Sequence, residues 1–234
     1  MTTEQPAVEV RELTRTYPAA GRPVLGLQGV SLRVAGGEVV AVTGPSGSGK
    51  STLLFLLAGL DRPDGGEVRV AGTDWRTLDI PARARFRRRT CGFIAQGMAL
   101  LPQATAAENV AVPLLLDGVD ADARQARVAG ALEAVGLADD GDKLPDQLSG
   151  GQQQRVAIAR ALVTQPAVVL ADEPTANLDS ATAQAVTQLL LAAARDRGAA
   201  VVLVTHDPEV AGHAHRLVRL RSGRVDPPDA RARP

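Results

Sequence analysis

The stretch GPSGSGKST, residues 44–52, limits the possible folds of this chain more than any other feature. It fits the pattern G-x-x-x-x-G-K-[ST] from Gly44 to Ser51, and it lies between the β-branched run VVAVT and the apolar run STLLFLLAGL. A strand, a glycine-rich loop and a helix in this order are typical of a phosphate-binding loop, whose backbone amides point at phosphate oxygens. Glycines at positions 44, 47 and 49 permit the positive φ angles that such a loop needs. We therefore expect an α/β core that binds a nucleotide.

The polar side chains of this loop have distinct expected roles. Lys50 would neutralise the β- and γ-phosphates, and the Ser51 hydroxyl would ligate Mg²⁺. The other positions expected to line the same site are Gly44, Pro45, Ser46, Gly47, Ser48, Gly49 and Thr52. A glycine-rich turn with an incidental Lys-Ser pair is the alternative. Kinases, GTPases and helicases share the loop, so this pattern does not by itself distinguish among nucleotide-binding families.

Polar residues also end two other predicted core strands. The run VVLADEP places Asp172 and Glu173 at the carboxyl end of a strand, where ligands bind in open α/β sheets. Because adjacent strand residues point in opposite directions, we expect Asp172 to reach the Mg²⁺ shell and Glu173 to polarise the attacking water. His206 follows the run VVLVT and is expected near the γ-phosphate. The alternatives are a solvated acidic strand end and an ordinary core or surface histidine.

A second candidate anion site lies in the stretch LSGGQQQR, residues 148–155. Ser149 is expected to cap a helix that continues through VAIARAL, and Gly150 and Gly151 leave the first backbone amides accessible. A serine cap and a helix dipole of about +0.5 charge favour a bound anion. The sequence therefore contains two candidate phosphate sites. The phosphate loop is sufficient to bind one nucleotide, so the second site needs an explanation.

The order of the predicted elements indicates one domain over residues 1–225. A small β layer comes first, and an α/β core is expected over about residues 1–96 and 165–225. The pattern between these parts is helical, which predicts an inserted lobe over about residues 97–164. Residues 226–234 are rich in proline and charge and are expected to be a disordered tail.

Composition excludes several classes of function. The chain has 26 Lys and Arg against 26 Asp and Glu, so its field would not attract nucleic acid. The single cysteine, Cys91, excludes an internal disulfide and fits a reducing compartment. No run approaches the roughly 18 apolar residues that a membrane span needs. We expect a soluble cytosolic chain that reaches a membrane only through a partner. The basic stretch at residues 83–89 is interpreted as a solvated helix face, with contact to lipid headgroups or a partner as the alternative.

The motifs occur together in the order and spacing of ATP-binding-cassette (ABC) ATPases, which the chain resembles from about Val8 to Val225. They are the phosphate loop, Gln96, LSGGQ, VVLADEP, the NLD at 177–179 and His206. The resemblance implies ATP and Mg²⁺ as cofactors, with the metal bound through Ser51, Gln96 and Asp172. It also implies that Tyr17 stacks on adenine and that Gln96 acts with Glu173 and His206 in catalysis.

The resemblance also explains the two phosphate sites. In ABC ATPases two subunits pack head to tail, so that the signature segment of one caps the γ-phosphate bound by the other. The residues that would contact ATP across this interface are Ser149, Gly150, Gly151, Gln152 and Asp179. The implied partners are thus a second copy of the chain and an integral membrane permease subunit, and the implied location is the cytoplasmic face of the membrane.

The finer resemblance is to the MacB/LolD group, which serves macrolide export, lipoprotein release and related periplasmic work. An FtsE-like ATPase that controls a cell-wall hydrolase through an FtsX-like membrane partner is the alternative. A nucleic-acid ABC protein of the repair or translation type fits less well, because such chains have long coiled-coil insertions or two cassettes. The chain departs from the group in GMALLP after Gln96, where an aromatic-Asn pair is usual, and in Ala176, where glycine is usual.

Overall fold

A computed structural model describes residues 5–18, 22–176 and 178–226 of the chain. The described residues form ten strands and seven α-helices. The strands are β1 Val8–Tyr17, β2 Val24–Val34, β3 Val39–Thr43, β4 Gly65–Val70, β5 Thr73–Asp74, β6 Cys91–Ile94, β7 Val168–Asp172, β8 Ala200–Val204, β9 Arg216–Arg221 and β10 Arg224–Val225. The helices are α1 Lys50–Leu57, α2 Ile80–Thr90, α3 Ala106–Leu116, α4 Ala121–Ala134, α5 Gly150–Leu162, α6 Ser180–Arg195 and α7 Pro208–Gly212.

The strands form two sheets of different character. The smaller sheet has the order β2-β1-β4-β5 and is antiparallel. The larger sheet has the order β10-β9-β3-β8-β7-β6, and all of its strands are parallel except β10, which pairs with β9 as a hairpin. The predicted fold class is confirmed: an α/β core, a small antiparallel β layer and a helical segment inserted between β6 and β7.

The central strands β3, β7 and β8 are buried on both faces, and alternate residues belong to different hydrophobic cores. Val40, Val42, Leu170 and Val202 pack with α1 and the antiparallel sheet. Their neighbours on the same strands, among them Val39, Val169, Val201 and Leu203, pack with α3, α4, α5 and α6. This two-sided burial explains why these strands are continuous apolar runs in the sequence.

The inserted helices share a core with the sheet. Val110 of α3, Leu132 of α4 and Ile158 of α5 belong to the same apolar cluster as Val169 of β7. Gly92 of β6 shows how closely α5 approaches, because a Cβ there would lie 2.3 Å from the Ala161 carbonyl oxygen. The proposed lobe boundaries at 97 and 164 fall outside the helices, and the division into core and lobe stays a prediction.

Two expectations concern the surface. The expected solvated face is only partly present: Arg85 is exposed, but Arg83 donates to the Trp75 carbonyl, Arg87 to the Gly59 carbonyl and Arg89 to Asp117. Of the expected tail, residues 227–234 lie outside the described part of the chain. Within the described ranges, every helix is too short or too polar to cross a bilayer.

Candidate nucleotide-binding site

The site lies where four parallel strands end on the same edge of the larger sheet. The register pairs Val42 of β3 and Asp172 of β7 with Val204 of β8, and Ile94 of β6 with Ala171 of β7. The residues that follow these strands therefore meet, although Gly44 and His206 are 206 − 44 = 162 positions apart in the sequence. Parallel α/β sheets bind ligands at this edge.

The phosphate loop follows β3 and has the backbone shape that its glycines predict. Gly44, Gly47 and Gly49 all have positive φ, at 146°, 74° and 102°. Gly44 is also a close approach, because a Cβ there would lie 2.1 Å from the Leu220 carbonyl oxygen. At Gly49, which precedes α1, a Cβ would lie 2.3 Å from the Gly26 carbonyl oxygen. Neighbouring strands thus exclude any larger residue at both positions.

The structure brings the predicted residues together around one cavity of about 450 Å³. Of the residues predicted for catalysis, ATP and metal on this side, only Pro45 is not part of the lining; the others are Tyr17, Gly44, Ser46, Gly47, Ser48, Gly49, Lys50, Ser51, Thr52, Gln96, Asp172, Glu173 and His206. Pro45 still contributes its carbonyl oxygen, which accepts from Lys50 Nζ at 3.0 Å. Lys50 Nζ also donates to the Gly44 carbonyl at 2.8 Å.

Asp172 ends β7 and is only 5% exposed. Burial raises the pKa of its carboxyl above the ordinary value, and a hydrogen bond from Ser51 opposes that rise. The charge of Glu173 raises this pKa further, while Lys50 lowers it. The Asp172 carboxylate and the Ser51 hydroxyl are oxygen donors of the kind that a divalent metal prefers, and metal binding by Ser51, Gln96 and Asp172 stays a prediction.

Glu173 lies just beyond β7, and its backbone is in the left-handed region with φ of 47°. Its N–H donates to the Val204 carbonyl oxygen at 3.0 Å. The expectation from strand alternation does not apply to this pair, because β7 ends at Asp172 and the chain turns at Glu173; both residues line the cavity. The two carboxylates differ instead in environment, one buried beside Ser51 and the other beside His206.

His206 is the partner of Glu173. Its Nδ1 lies 2.8 Å from Glu173 Oε2, while its side chain is 71% exposed. The hydroxyl of the neighbouring Thr205 accepts a hydrogen bond from the Asp207 amide, which fixes the turn that follows β8. The arrangement leaves the histidine accessible at the cavity mouth with one ring nitrogen occupied by a carboxylate.

Tyr17 ends β1 at the rim of the cavity, and two contacts hold its ring. Its hydroxyl donates to Asp61 Oδ2 at 2.9 Å, and the Arg15 guanidinium carbon lies 4.7 Å from the ring centroid. Arg15 also makes an ion pair with Asp61 at 2.8 Å. The guanidinium thus covers one face of the ring, and stacking of adenine on Tyr17 stays a prediction from the resemblance. Sequence reasoning missed Arg15 and Asp61, whose 46-residue separation gives no local signal.

The signature segment forms a second, separate feature. Ser149 caps α5 as predicted: its hydroxyl accepts from the Gln152 amide at 3.3 Å, and the Gln152 side chain accepts from the Ser149 amide at 2.9 Å. Asp179 caps α6 through a single bond, which its side chain accepts from the Thr182 amide. Gly151 packs against Thr182, where a Cβ would lie 2.7 Å from Cγ2, so the two helix N-termini are adjacent.

The two phosphate sites are not joined within one chain. Neither residues 149–152 nor Asp179, all of which the structure describes, line the cavity of the phosphate loop. Asn177 of the NLD motif lies outside the described residues. The roles predicted for the signature segment and Asp179 across a dimer interface therefore stay predictions from the resemblance.

The chain is similar to proteins of one family. A family model described as ABC transporter matches residues 27–176. Over 214 residues the chain is 47% identical to the lipoprotein-releasing system ATP-binding protein LolD 1 of Rhodopirellula baltica, a match that covers 92% of this chain and 93% of that protein. Over 220 residues it is 47% identical to the macrolide export ATP-binding/permease protein MacB of Shigella flexneri, covering 94% of this chain and 34% of MacB. The chain thus spans about a third of the length of the MacB relatives that it matches.

Solved structures agree with the sequence comparisons. The dimeric post-hydrolysis state of the ATP-binding cassette MJ0796 bound to ADP and Pi superposes with a TM-score of 0.86 at 40% identity. The match covers 94% of this chain and 97% of that one. A dimeric structure of MJ0796 as a bacterial ABC transporter cassette matches equally well.

Proposed function

The chain belongs to the ABC transporter family of ATPases, and from that premise we propose that it hydrolyses ATP to drive a membrane partner. The observation that carries this proposal is the shared cavity at the sheet edge. There Lys50, Ser51 and Asp172 lie beside Glu173, whose carboxylate contacts His206. A lysine for the phosphates, an acid beside a hydroxyl for a metal and a second acid for water are the parts that phosphoryl transfer to water needs.

The residues present fit Mg²⁺. Ser51 and Asp172 supply the hard oxygen ligands that this ion prefers, and Gln96 supplies another from the same cavity. Among the described residues no three acidic, histidine or cysteine side chains form a metal cage, so phosphate oxygens and water would complete the shell. When bound, the ion would neutralise charge on the β- and γ-phosphates.

The protein groups divide the remaining work. The amides of the phosphate loop and Lys50 hold the triphosphate. Glu173 orients the attacking water and accepts its proton. His206, held by Glu173 and exposed at the cavity mouth, contacts the γ-phosphate.

The signature segment of a second copy would complete the site. Ser149 and the amides at the start of α5 would add a positive helix end to the γ-phosphate from the opposite side. ATP would then hold two chains together, and hydrolysis would let them separate. The neighbour MJ0796, whose structure bound to ADP and Pi is dimeric, supports the assembly of two chains.

An apolar groove supports the proposal of a membrane permease partner at the cytoplasmic face. It lies between the end of α1, β6 and α3 and includes Leu60 and Leu116, which are 51% and 63% exposed. Phe93 and Pro113 also line it. The MacB relative is named an ATP-binding/permease protein, and this chain matches 34% of it. We place a cytoplasmic segment of a MacB- or FtsX-like permease in the groove.

The substitution Glu173→Gln tests the proposed chemistry. Glutamine keeps the size of the side chain but cannot accept a proton, so steady-state phosphate release should fall by about 10²–10⁴-fold. ATP binding should persist because Lys50, Ser51 and Asp172 are unchanged, and light scattering in Mg-ATP should show an accumulated dimer. Glu133→Gln, on the exposed side of α4, is the matched control and should behave as the unmodified chain. Near-normal turnover of Glu173→Gln would exclude Glu173 as the base.

Two further variants separate the two phosphate sites. Lys50→Ala should abolish ATP binding, because the β/γ-phosphates lose their cation. Ser149→Arg should leave ATP bound to the chain and block dimerisation and hydrolysis. Equal loss of ATP binding in both variants would contradict action across the interface.

Co-purification with a candidate permease tests the partner. Leu116→Glu should weaken capture of the permease and leave the ATP affinity of the isolated chain unchanged. Equal capture by both forms would remove the groove from the interface. Deletion of the permease gene then separates the two roles. A defect in export would indicate a transporter, whereas a defect in cell-wall hydrolysis would indicate an FtsX-like partner.

A further inference from the structure

The segment that follows β6 has an unusual backbone. After Gln96, which lines the nucleotide cavity, three consecutive residues have positive φ: Gly97 at 79°, Met98 at 68° and Ala99 at 48°. Glycine adopts this region freely, but a residue with a Cβ atom is strained there. Two strained residues in succession persist only where the surroundings hold them.

The group that holds this segment is the guanidinium of Arg160. Its Nη2 donates to the Met98 carbonyl oxygen at 2.7 Å, and its Nη1 donates to the Ala99 carbonyl oxygen at 2.8 Å. The planar guanidinium thus binds two successive carbonyls at once, through short hydrogen bonds from a charged donor. The segment itself offers only two tight backbone turns, Met98 N–H to Ala95 and Ala99 N–H to Gly97.

Arg160 is partly buried and has, among the residues that the structure describes, no acidic partner that would compete for its guanidinium. It lies near the end of α5, the helix that Ser149 caps, and burial lowers the pKa of its guanidinium. Within the described chain no carboxylate pairs with it at salt-bridge distance. A partly buried cation without an acid is costly unless its donors are paired, and here two of its N–H groups are paired with the Met98 and Ala99 carbonyls.

Arg160 lies between the apolar groove and the segment that leads to the nucleotide cavity. Arg160 lines the apolar groove together with Phe93 and Pro113, and it does not line the nucleotide cavity. Gln96 does line the cavity, and the strained segment begins at the next residue. An effect of Arg160 on ATP chemistry must therefore pass through this segment.

We propose that Arg160 is a positioning residue for Gln96, which it acts on by clamping the Met98 and Ala99 carbonyls. This inference rests on the proposed function, because Gln96 matters only if the cavity hydrolyses ATP. Because Arg160 belongs to α5, a shift of this helix would change the placement of Gln96.

The test compares four variants in the full chain: Arg160→Ala, Arg160→Lys, Arg160→Ala with Ala99→Gly, and the control Arg127→Ala. Arg127 is an exposed arginine of α4. The readouts are ATP affinity, kcat and the hydrogen-exchange rate of the 96–101 segment without nucleotide. Arg160→Ala should keep its ATP affinity, because Lys50 is untouched, and lose about 10²-fold in kcat through the misplaced Gln96. Exchange in the segment should become about tenfold faster with two bonds to a charged donor lost.

The other variants separate clamping from general stability. Arg160→Lys keeps the charge but offers no planar fork, so it should be intermediate in both kcat and exchange, and it serves if Arg160→Ala does not fold. Ala99→Gly removes the strain at φ 48°, so the double variant should recover part of the lost kcat. The proposal is wrong if Arg160→Lys matches the unmodified chain in both readouts, or if Arg160→Ala matches Arg127→Ala.

A separate outcome concerns the proposed function. If the unmodified chain and Lys50→Ala release phosphate equally, the ATPase proposal fails. The exchange measurement needs no nucleotide, so it still decides whether Arg160 holds the segment. Unchanged exchange in Arg160→Ala and Arg160→Lys would overturn the clamp whatever the ATPase result.

Discussion

Asn109 of α3 offers the sharpest test of how the chain fixes the loop between the cavity and the helical segment. It is completely buried, and its side chain bonds only to backbone. Oδ1 accepts from the Leu101 amide at 2.8 Å, and Nδ2 lies within bonding distance of the carbonyls of Leu101, Ala104 and Thr105 at 3.1, 2.9 and 3.1 Å. Asn109 thus fixes residues 101–105, which closely follow the residues that Arg160 binds, Met98 and Ala99.

The magnitude for Asn109→Ala follows from the groups that it leaves unpaired. The Thr105 carbonyl keeps a bond from the Asn109 amide, and the Leu101 carbonyl keeps one from the Ala104 amide. The Leu101 N–H and the Ala104 carbonyl lose their partner, at about 1–3 kcal/mol each. Leu101 is 50% exposed, so water can bond to its free N–H and reduce the cost of leaving that group unpaired. We expect a loss of about 3 kcal/mol in the free energy of unfolding, or about 6–12 °C in Tm for a chain of this size.

Urea denaturation and calorimetry of the nucleotide-free chain measure this loss. Gln125→Ala, which removes an amide from the exposed face of α4, is the control and should change stability by less than about 0.5 kcal/mol. Exchange of the 100–105 amides should also rise in Asn109→Ala and not in the control. A loss below about 1 kcal/mol would show that water or a rearranged loop replaces the Asn109 bonds, and the reasoning would be wrong.

Three other predictions concern single sites. Asp172→Asn should abolish Mg²⁺-dependent turnover and raise the free energy of unfolding of the nucleotide-free chain at neutral pH. Burial raises the pKa of Asp172 above 3.8 in the folded chain, so the increase should be complete above the folded-state pKa and should vanish below the unfolded-state pKa. An equal increase at pH 3 and pH 7 would contradict this reasoning. Cys91 should resist iodoacetamide at pH 8 until the chain is unfolded, since burial raises its pKa to about 12, and rapid labelling of the native chain in mass spectra would refute this. Gly151→Ala should cost about 1–3 kcal/mol in unfolding experiments because its Cβ meets Thr182 Cγ2, and Thr182→Ser should restore most of the loss; no restoration would place the strain elsewhere.

Short-range features of the site were predictable from the sequence. The positive φ angles at Gly44 and Gly49 follow from the phosphate-loop pattern, because loop geometry depends on neighbouring residues. The Ser149 cap is equally local, since its partner Gln152 is three positions away. The hairpin of β9 and β10 follows from a Ser-Gly turn between two alternating runs. Asp179 had the same local signal before α6, and its capping role could have been found from it.

Contacts between distant segments needed the tertiary structure. The sequence places Glu173 and His206 at strand ends, but their contact depends on β7 and β8 being neighbours and on the left-handed turn at Glu173. The clamp of Arg160 on Met98 joins residues 62 positions apart. A side chain such as Asn109 looks like an ordinary helix residue until the loop that it binds is present. Patterns of period 2 and 3.6 determine which face of an element is buried, whereas the partners of a polar side chain depend on how those elements pack, and packing is decided by the whole chain.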